Sequence, residues 1–325
     1  DGNIVAIGTI YNNGNGTDAG HVRIYENIGG SWSQIGQDID GENAGDQSGI
    51  FVSLSSDGNI IAIGAPENNG NGTDAGHVRI YENIGGSWSQ IGQDIDGELA
   101  YDLSGRSVSL SSDGNTVAVG AYRNDGNGVD AGHVRIFENI GGSWSQIGQD
   151  IDGAAAGDLS GYSVSLSSDG NILAIGAYRN DGNGVDAGHV RIYENVGGSW
   201  SQIGQDIDGE AADDWSGYSV SLSSDGNTLA IGAFANDGNG NNAGHVRIYN
   251  ISNGCSNLGC LDPLAINFDP YATVDDSSCV YPNYGCLDSL ALNYNSLSNI
   301  DDGSCNYCIN DTSYTNIAAC DSLVW

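Results

Sequence analysis

The chain repeats itself with a period of 56 residues. The tripeptide Asp-Gly-Asn begins at Asp1, Asp57, Asp113, Asp169 and Asp225. A unit of that length holds about four short strands, and none of the copies has a convincing helix, so each copy predicts one small sheet rather than part of an irregular enzyme core. A residue present in every copy is therefore first a structural residue, and only second a candidate for chemistry.

The third unit shows the strand pattern most clearly. Residues 107–111 alternate polar and apolar, residues 112–115 form an Asp-Gly turn, and residues 116–120 run back, which together predict a hairpin. A glycine-rich loop leads to a third strand from His133, and a looser fourth strand follows between Ser143 and Ile151. Four antiparallel strands with short links fit a β-propeller blade better than a solenoid coil.

The predicted fold class is therefore all-β, with a propeller of about five four-stranded blades over residues 1–250. The first unit lacks its opening strand and the last lacks its closing one. Either further blades precede this chain, which we expect to be a fragment of a longer protein, or the two incomplete ends complement each other across the ring.

Charge restricts the classes of partner. The formal net charge is −34 and all eight basic residues are arginine, which argues against nucleic acid or an anionic membrane as partner. No apolar run is long enough to span a bilayer. The acidic excess suits cations or a salty medium, but a solvated acidic surface without a specific ligand explains it equally well.

All seven cysteines follow residue 250, where the texture of the sequence changes. Clustered cysteines in small polar modules indicate disulfides and an extracellular, oxidising location. The predicted boundaries after the propeller are listed here in order: a linker at 251–259, a first cysteine-rich module at 260–280, a second at 286–306, and the start of a further module at 307–325.

The repeats resemble the FG-GAP repeats of integrin-α-like propellers. The resemblance is carried by residues 216–222 (Ser-Gly-Tyr-Ser-Val-Ser-Leu), 230–233 (Ala-Ile-Gly-Ala) and 244–249 (Gly-His-Val-Arg-Ile-Tyr), and Pro66 completes a Gly-Ala-Pro in the second unit. More closely, the unit looks like repeats of large surface and secreted proteins of marine Bacteroidetes. That family carries a calcium loop between its first two strands, and this chain has only a tight turn there, so those ligands are not carried over.

The tail resembles short cysteine-bounded modules near the C-termini of the same class of exported proteins, many of which use the type IX secretion route. Gly-Cys-Leu-Asp at residue 259 recurs at residue 285, and the second cysteine follows in both modules after the same interval. The resemblance implies the disulfides Cys260–Cys279 and Cys286–Cys305. Three cysteines are left over: Cys255, Cys308 and Cys320.

The loop between the second and third strands is the best cation candidate. It alternates carboxylate and amide oxygens with glycines, which is the chemistry that calcium prefers. The alternative is a plain glycine-asparagine turn. The candidate ligands are Asp125, Asn127, Asp130, Asp181, Asn183, Asp186, Asn15, Asp18, Asn71 and Asp74.

Two positions interrupt the repeat with residues suited to binding. Trp215 stands where other units have Gln or Leu, and Arg106 stands where they have Ile or Tyr. A tryptophan and an arginine at a propeller mouth would suit a protein or carbohydrate ligand at the cell surface, although ordinary drift between copies explains them equally well. The histidine of each unit is predicted to pack within its own blade.

The function predicted from these features is a non-enzymatic, extracellular adhesion or ligand-binding propeller module of a larger exported surface protein, with calcium as a candidate stabilising ion. One alternative is a secreted polysaccharide-acting hydrolase or lyase with its site in the propeller funnel, although no paired acid and base stands out. The other alternative is a structural spacer.

Overall fold

Each repeat folds into an antiparallel sheet, as the alternating pattern predicts. The computed structural model describes residues 2–251, 258–260, 262–266, 274–275 and 279–307. Two compact units are present, Asp1–Cys255 and Ser256–Trp325. Within the described residues every element of regular structure is a strand, and no helix is long and apolar enough to cross a membrane.

The five sheets of the first unit are called blades 1 to 5 in chain order. Blade 1 contains β1 (Ile4–Thr9), β2 (His21–Ile28), β3 (Ser31–Gln34) and β4 (Ile39–Asp40). Blade 2 contains β5 (Phe51–Leu54), β6 (Ile60–Ala65), β7 (His77–Ile84), β8 (Ser87–Gln90) and β9 (Ile95–Asp96). Blade 3 contains β10 (Ser107–Leu110), β11 (Thr116–Ala121), β12 (His133–Ile140), β13 (Ser143–Gln146) and β14 (Ile151–Asp152). Blade 4 contains β15 (Ser163–Leu166), β16 (Ile172–Ala177), β17 (His189–Val196), β18 (Ser199–Gln202) and β19 (Ile207–Asp208). Blade 5 contains β20 (Ser216–Leu222), β21 (Thr228–Ala233) and β22 (His245–Asn250).

The fourth strand of each complete blade is in two pieces. In blade 3, β13 pairs with the C-terminal half of β12, and β14 pairs with its first two residues. Between the two pieces the chain turns at Gly148, which has a φ of 75°. The weak alternation in the predicted fourth strand therefore reflects a break in that strand. The third strand has three antiparallel partners, which are the second strand and the two pieces of the fourth.

The hydrophobic core lies between the blades. Val22 and Ile24 of blade 1 pack against Ile61 and Ile63 of blade 2, and Trp88 of blade 2 closes the same cluster. The Trp88 indole nitrogen donates a hydrogen bond to the carbonyl oxygen of a residue in the preceding blade, at 2.9 Å. Clusters of equivalent strand residues join blades 2 and 3, 3 and 4, and 4 and 5. A tryptophan takes part in all but the last of them, because blade 5 has no fourth strand within the described residues.

A glycine near the end of each second strand allows close contact with the link that leads into the next blade. A Cβ at Gly64 would lie 2.0 Å from the carbonyl oxygen of Gly105, and one at Gly120 would lie 2.1 Å from that of Gly161. No side chain fits at these positions without moving backbone, which explains why Gly recurs there.

The C-terminal unit contains both expected disulfides, Cys260–Cys279 and Cys286–Cys305. A short parallel ladder accompanies each bridge. The ladders are formed by β23 (Leu258–Gly259) with β24 (Val274–Asp275), and by β25 (Tyr284–Gly285) with β26 (Ile300–Asp301). Cys255, Cys308 and Cys320 lie outside the described residues.

Candidate ligand-binding site

The best candidate site lies at one end of the first two strands of blades 2 to 5. Ser107 at the start of β10 pairs with Gly120 near the end of β11, so the residue before the first strand and the residue after the second lie close together. In blade 3 these two residues are Arg106 and Tyr122. Because neighbouring blades stack in register, the equivalent side chains of successive blades form a row at this end.

We call this row, with its flanking residues, the aromatic cluster. It brings Arg106 and Trp215, which differ from their equivalents in the other units, together with aromatic residues, some of which recur from unit to unit. Its members are Phe51, Arg106, Tyr122, Tyr162, Tyr178, Trp215, Tyr218 and Phe234.

Ring contacts make the cluster continuous across three blades. The Tyr162 ring centroid lies 5.4 Å from that of Tyr122, 4.5 Å from that of Tyr178 and 4.9 Å from that of Tyr218. The Tyr218 ring lies 4.7 Å from that of Phe234. The rings meet edge-on or tilted, which is the favoured geometry for aromatic pairs.

Arg106 extends the cluster to blade 2. Its guanidinium carbon lies 4.5 Å from the Phe51 ring centroid and 4.3 Å from that of Tyr162, so the cation is placed between two aromatic faces. Its Nη2 donates to the Tyr162 hydroxyl at 2.7 Å, and that hydroxyl donates to the Tyr218 hydroxyl at 3.0 Å. Burial, with the hydrogen bond to Tyr218, raises the pKa of Tyr162, so the phenol stays neutral.

Trp215 packs at the blade 5 end of the cluster. Its ring centroid lies 5.6 Å from that of Tyr178 and 5.0 Å from that of Phe234. The side chain is partly buried, because these two rings cover it. Within the described part of the chain, Nε1 of Trp215 and Nη1 of Arg106 are buried donors without a hydrogen-bond partner. An acceptor that reached either donor would remove the cost of leaving it unpaired.

Sequence reasoning selected Trp215 and Arg106 but missed the aromatic residues that follow the second strands. Tyr122, Tyr178 and Phe234 occupy the position that Pro66 occupies in blade 2. The sequence feature that marks them is an aromatic residue directly after three of the strands that end in Gly-Ala. Its importance is seen only in the structure, where stacking of the blades places these rings beside residues from the preceding links.

The predicted cation loops are tied down by hydrogen bonds of their own. Asp125 Oδ1 accepts from the Asp130 backbone nitrogen at 2.8 Å, and the Asn127 side-chain amide donates to the carbonyl oxygens of Gly153 and Ala154 at 2.8 and 3.2 Å. Asp130 has a φ of 52°. The structure places the remaining predicted ligands in the equivalent loops of blades 1, 2 and 4: Asn15, Asp18, Asn71, Asp74, Asp181, Asn183 and Asp186.

Histidines and carboxylates form a second kind of cluster, which sequence reasoning did not assemble. One nitrogen of His77 and one carboxylate oxygen each of Glu42 and Asp94 lie within 4.8 Å of one another, and blade 3 repeats the arrangement. Burial lowers the pKa of His77 to about 4. Arg79 Nη1 lies 3.6 Å from Glu42 Oε1, so the carboxylate already has a cationic neighbour, and the cluster resembles an ion-pair network.

A wide depression of about 520 Å³ lies between blades 3 and 4, beside their first hairpin turns. Asp113 and Asp169 line it, but each carboxylate accepts hydrogen bonds inside its own turn, from Ser111 and Ser167 respectively, at 2.6 Å. Those side chains serve to close the turns. The aromatic cluster, at the other end of the same strands, is therefore the better candidate for ligand binding.

Comparison with known proteins agrees with this architecture. Three segments, residues 95–137, 151–193 and 207–249, match the FG-GAP repeat family. Each matched segment runs from the last short strand of one blade into the third strand of the next, so the family unit starts two strands earlier than the Asp-Gly-Asn period. The FG-GAP match and the stacked sheets together indicate a β-propeller-like module.

Among solved structures, the chain is similar to a candidate 6-phosphogluconolactonase from Bacteroides uniformis. The two share 12% sequence identity with a TM-score of 0.42, over 77% of this chain and 80% of that one. At these values the likeness supports no conclusion about activity. No curated protein sequence matches the chain.

Proposed function

We propose that this chain is a non-enzymatic, extracellular adhesion module that binds a carbohydrate or protein ligand at the aromatic cluster. The observation that carries the proposal is that residues which break the repeat gather in one place. Trp215 and Arg106 lie in different blades and different links, yet both contact the Tyr162–Tyr178 pair or its neighbours.

The chemistry of the cluster favours ligands with flat apolar faces and acceptor oxygens. Aromatic rings and arginine are the residues that dominate binding energy at interfaces. Phe234 and Phe51 are 48% and 37% exposed, so a ligand can reach the cluster from solvent. The net charge of −34 supports a partner that is neither nucleic acid nor an anionic membrane. The two disulfides and the FG-GAP repeats support an extracellular location.

The test uses substitutions that restore the repeat, because these preserve the fold. Trp215→Leu reproduces the residue found at the equivalent place in blades 3 and 4, and Arg106→Tyr reproduces the residue of blades 4 and 5. Ligands would first be sought on an array of neutral and acidic oligosaccharides and immobilised surface proteins. Affinities of the hits would then be measured by calorimetric titration.

We expect each substitution to weaken binding about tenfold or more, as for loss of an interface anchor. Phe137→Tyr is the matched control, because it also restores the repeat but lies in the core between blades 2 and 3. If every hit bound the two variants as tightly as the control, the aromatic cluster would not be the binding site.

Calcium in the loops after the second strands is a separate proposal. Asp125 and Asp181 are exposed carboxylates in a strongly acidic chain, which supports it. Extracellular calcium sites bind at about 10⁻⁴ to 10⁻³ M, so several millimolar calcium should raise the melting temperature relative to chelator. The rise should shrink in Asp125→Asn and should not be reproduced by magnesium. Identical melting curves in calcium and chelator would identify these loops as plain turns.

A further inference from the structure

The basic residues of this chain fall into two groups. Five of the eight arginines occupy one position of the third strand, once in each blade. Four of these five pair with a carboxylate: Arg23, Arg79, Arg135 and Arg247. The fifth, Arg191, donates to the backbone carbonyl oxygen of Asp152 at 2.6 Å. These five therefore have structural partners, whereas three arginines stand at other positions.

The three other arginines interrupt the repeat, and all of them border the aromatic cluster. Arg106 lies between two of its rings. The guanidinium carbon of Arg123 lies 5.6 Å from the Tyr122 ring centroid. That of Arg179 lies 5.7 Å from the Tyr178 ring centroid. The Tyr-Arg pair thus occurs at the same position of blades 3 and 4, where blade 2 has Pro-Glu and blade 5 has Phe-Ala.

These three arginines form no ion pair within the described part of the chain, although the sequence contains 42 acidic residues. Arg123 and Arg179 are exposed. Blades 3 and 4 each have a blade of this chain on either side, so this exposure does not depend on where the sequence begins or ends. A local group of unpaired cations in a chain of net charge −34 favours an anionic ligand at this place.

We propose that the ligand of the aromatic cluster is an oligosaccharide with carboxylate or sulfate groups, which Arg123 and Arg179 bind while the neighbouring rings contact its sugar faces. This inference rests on the proposed function and narrows the ligand of that site. A guanidinium group binds a carboxylate through two parallel hydrogen bonds and stays charged at physiological pH. Arg106 adds a third positive charge beside the two exposed arginines.

The repetition of the Tyr-Arg pair favours a saccharide over an acidic peptide. The Tyr162 ring contacts both tyrosines of these pairs, with centroid distances of 5.4 Å to Tyr122 and 4.5 Å to Tyr178. The two pairs therefore lie side by side along the row. An oligosaccharide built from one repeating acidic unit matches them, because each unit offers an anion to one arginine and a ring face to one tyrosine.

The net charge of the protein limits how densely its ligand is charged. Double-stranded DNA carries one charge for about every 1.7 Å of its axis, whereas a saccharide with one acidic group per sugar carries fewer. At physiological ionic strength the Debye length is about 8 Å, so distant carboxylates of the protein are largely screened from the ligand. Arginines in direct contact with it are not. A moderately charged saccharide is therefore compatible with the acidic surface that disfavours nucleic acid.

A glycan array followed by calorimetric titration of residues 1–325 tests this inference. Both are done in chelator, so that calcium does not bridge an acidic sugar to the acidic loops. The probes are matched pairs that differ in charge: oligogalacturonate and its methyl ester, and a sulfated galactan oligosaccharide and its desulfated form. Oligoaspartate serves as the acidic peptide. We expect the charged member of at least one pair to bind about tenfold more tightly than its neutral partner.

Two arginine variants assign that preference to the site. Arg123→Ala and Arg179→Ala each introduce the residue that blade 5 already has at this position. Each should weaken binding of the charged saccharide about tenfold and leave binding of its neutral partner almost unchanged, whereas Trp215→Leu should weaken both. Arg23→Ala is the matched control, because it removes the same charge from a 43% exposed arginine of blade 1, outside the aromatic cluster, and should bind like the wild type.

The inference is overturned if the charged and neutral members of every pair bind equally, or if both arginine variants bind like Arg23→Ala. Neutral saccharides that bind the wild type but not Trp215→Leu would leave the proposed function standing and remove this class of ligand. Arginine-dependent binding of oligoaspartate alone would identify an acidic protein as the ligand instead. If no saccharide or protein depends on Trp215, the proposed function fails as well.

Discussion

Buried histidines should make this protein sensitive to mild acid. His77 and His133 begin the third strands of blades 2 and 3, and each side chain is 1% exposed. Burial lowers the pKa of both to about 4, from an ordinary value near 6.5. Because the pKa of each histidine is lower in the folded protein, the histidines of the unfolded chain bind protons at a higher pH than those of the folded protein. Stability that is present above pH 6.5 is therefore lost as the pH falls towards 4.

The size of the loss follows from the difference in pKa. A separation of about 2.5 units corresponds to about 3 kcal/mol per histidine by pH 4, since one unit is worth about 1.4 kcal/mol. Two such residues could remove a large part of the total stability of an ordinary domain, which is about 5–15 kcal/mol.

Carboxylates act in the opposite direction and must be separated from the histidines. Burial raises the pKa of Asp96, Asp152 and Glu98, so those groups take up protons more readily in the folded protein. The pH dependence of the wild-type unfolding free energy therefore contains contributions of opposite sign from histidines and carboxylates. The quantity that isolates one histidine is the difference in unfolding free energy between wild type and His133→Gln at each pH.

Urea unfolding at pH 7.5, 5.5 and 4.5 gives that difference. The variant loses packing at pH 7.5, but the wild type should lose about 2–3 kcal/mol relative to it by pH 4.5. His245→Gln controls for the substitution, because the His245 side chain is 26% exposed whereas that of His133 is 1% exposed. If the wild-type and His133→Gln curves ran parallel from pH 7.5 to 4.5, burial of the imidazole would not be the cause of acid lability.

Two further predictions concern stability and are checked by urea unfolding. Gly120→Ala should destabilise the protein by at least about 1–3 kcal/mol, because the added Cβ would lie against a backbone carbonyl oxygen. Gly232→Ala should cost less, because the atom nearest to its Cβ is a serine hydroxyl oxygen. Equal losses for the two glycines would contradict this reasoning. Asp102→Ala should cost about 2–4 kcal/mol, because the buried Asp102 carboxylate accepts from the Asn124 amide at 3.1 Å and that donor would be left unpaired. A loss below 1 kcal/mol would show that water replaces the carboxylate.

Local patterns were sufficient to predict the strands. The alternation over residues 107–111 and 116–120 and the Asp-Gly turn between them define a hairpin whichever neighbour it has, and the structure forms it in four of the blades. The 56-residue period then fixed the number of sheets. Both disulfides were predicted from the resemblance of the tail to short cysteine-bounded modules.

The aromatic cluster could only partly be predicted, since it is a property of stacking. Tyr122 and Tyr162 are 40 positions apart in sequence numbering, yet their ring centroids are 5.4 Å apart because blade 4 lies on blade 3. Divergence from the repeat identified Trp215 and Arg106, but the residues that surround them became visible only with the packing.

The backbone conformation at Trp215 distinguishes features that belong to the fold from those that belong to the proposed site. Its φ of 57° lies in the left-handed region, which is costly for a residue with a large side chain. Gln47, Leu103 and Leu159 occupy the equivalent links with φ values of 51°, 55° and 56°, so this conformation belongs to every link and is not a mark of binding. What is particular to blade 5 is the indole carried on that shared backbone. The links therefore share one backbone conformation, and the identity of one side chain changes the surface without changing the fold.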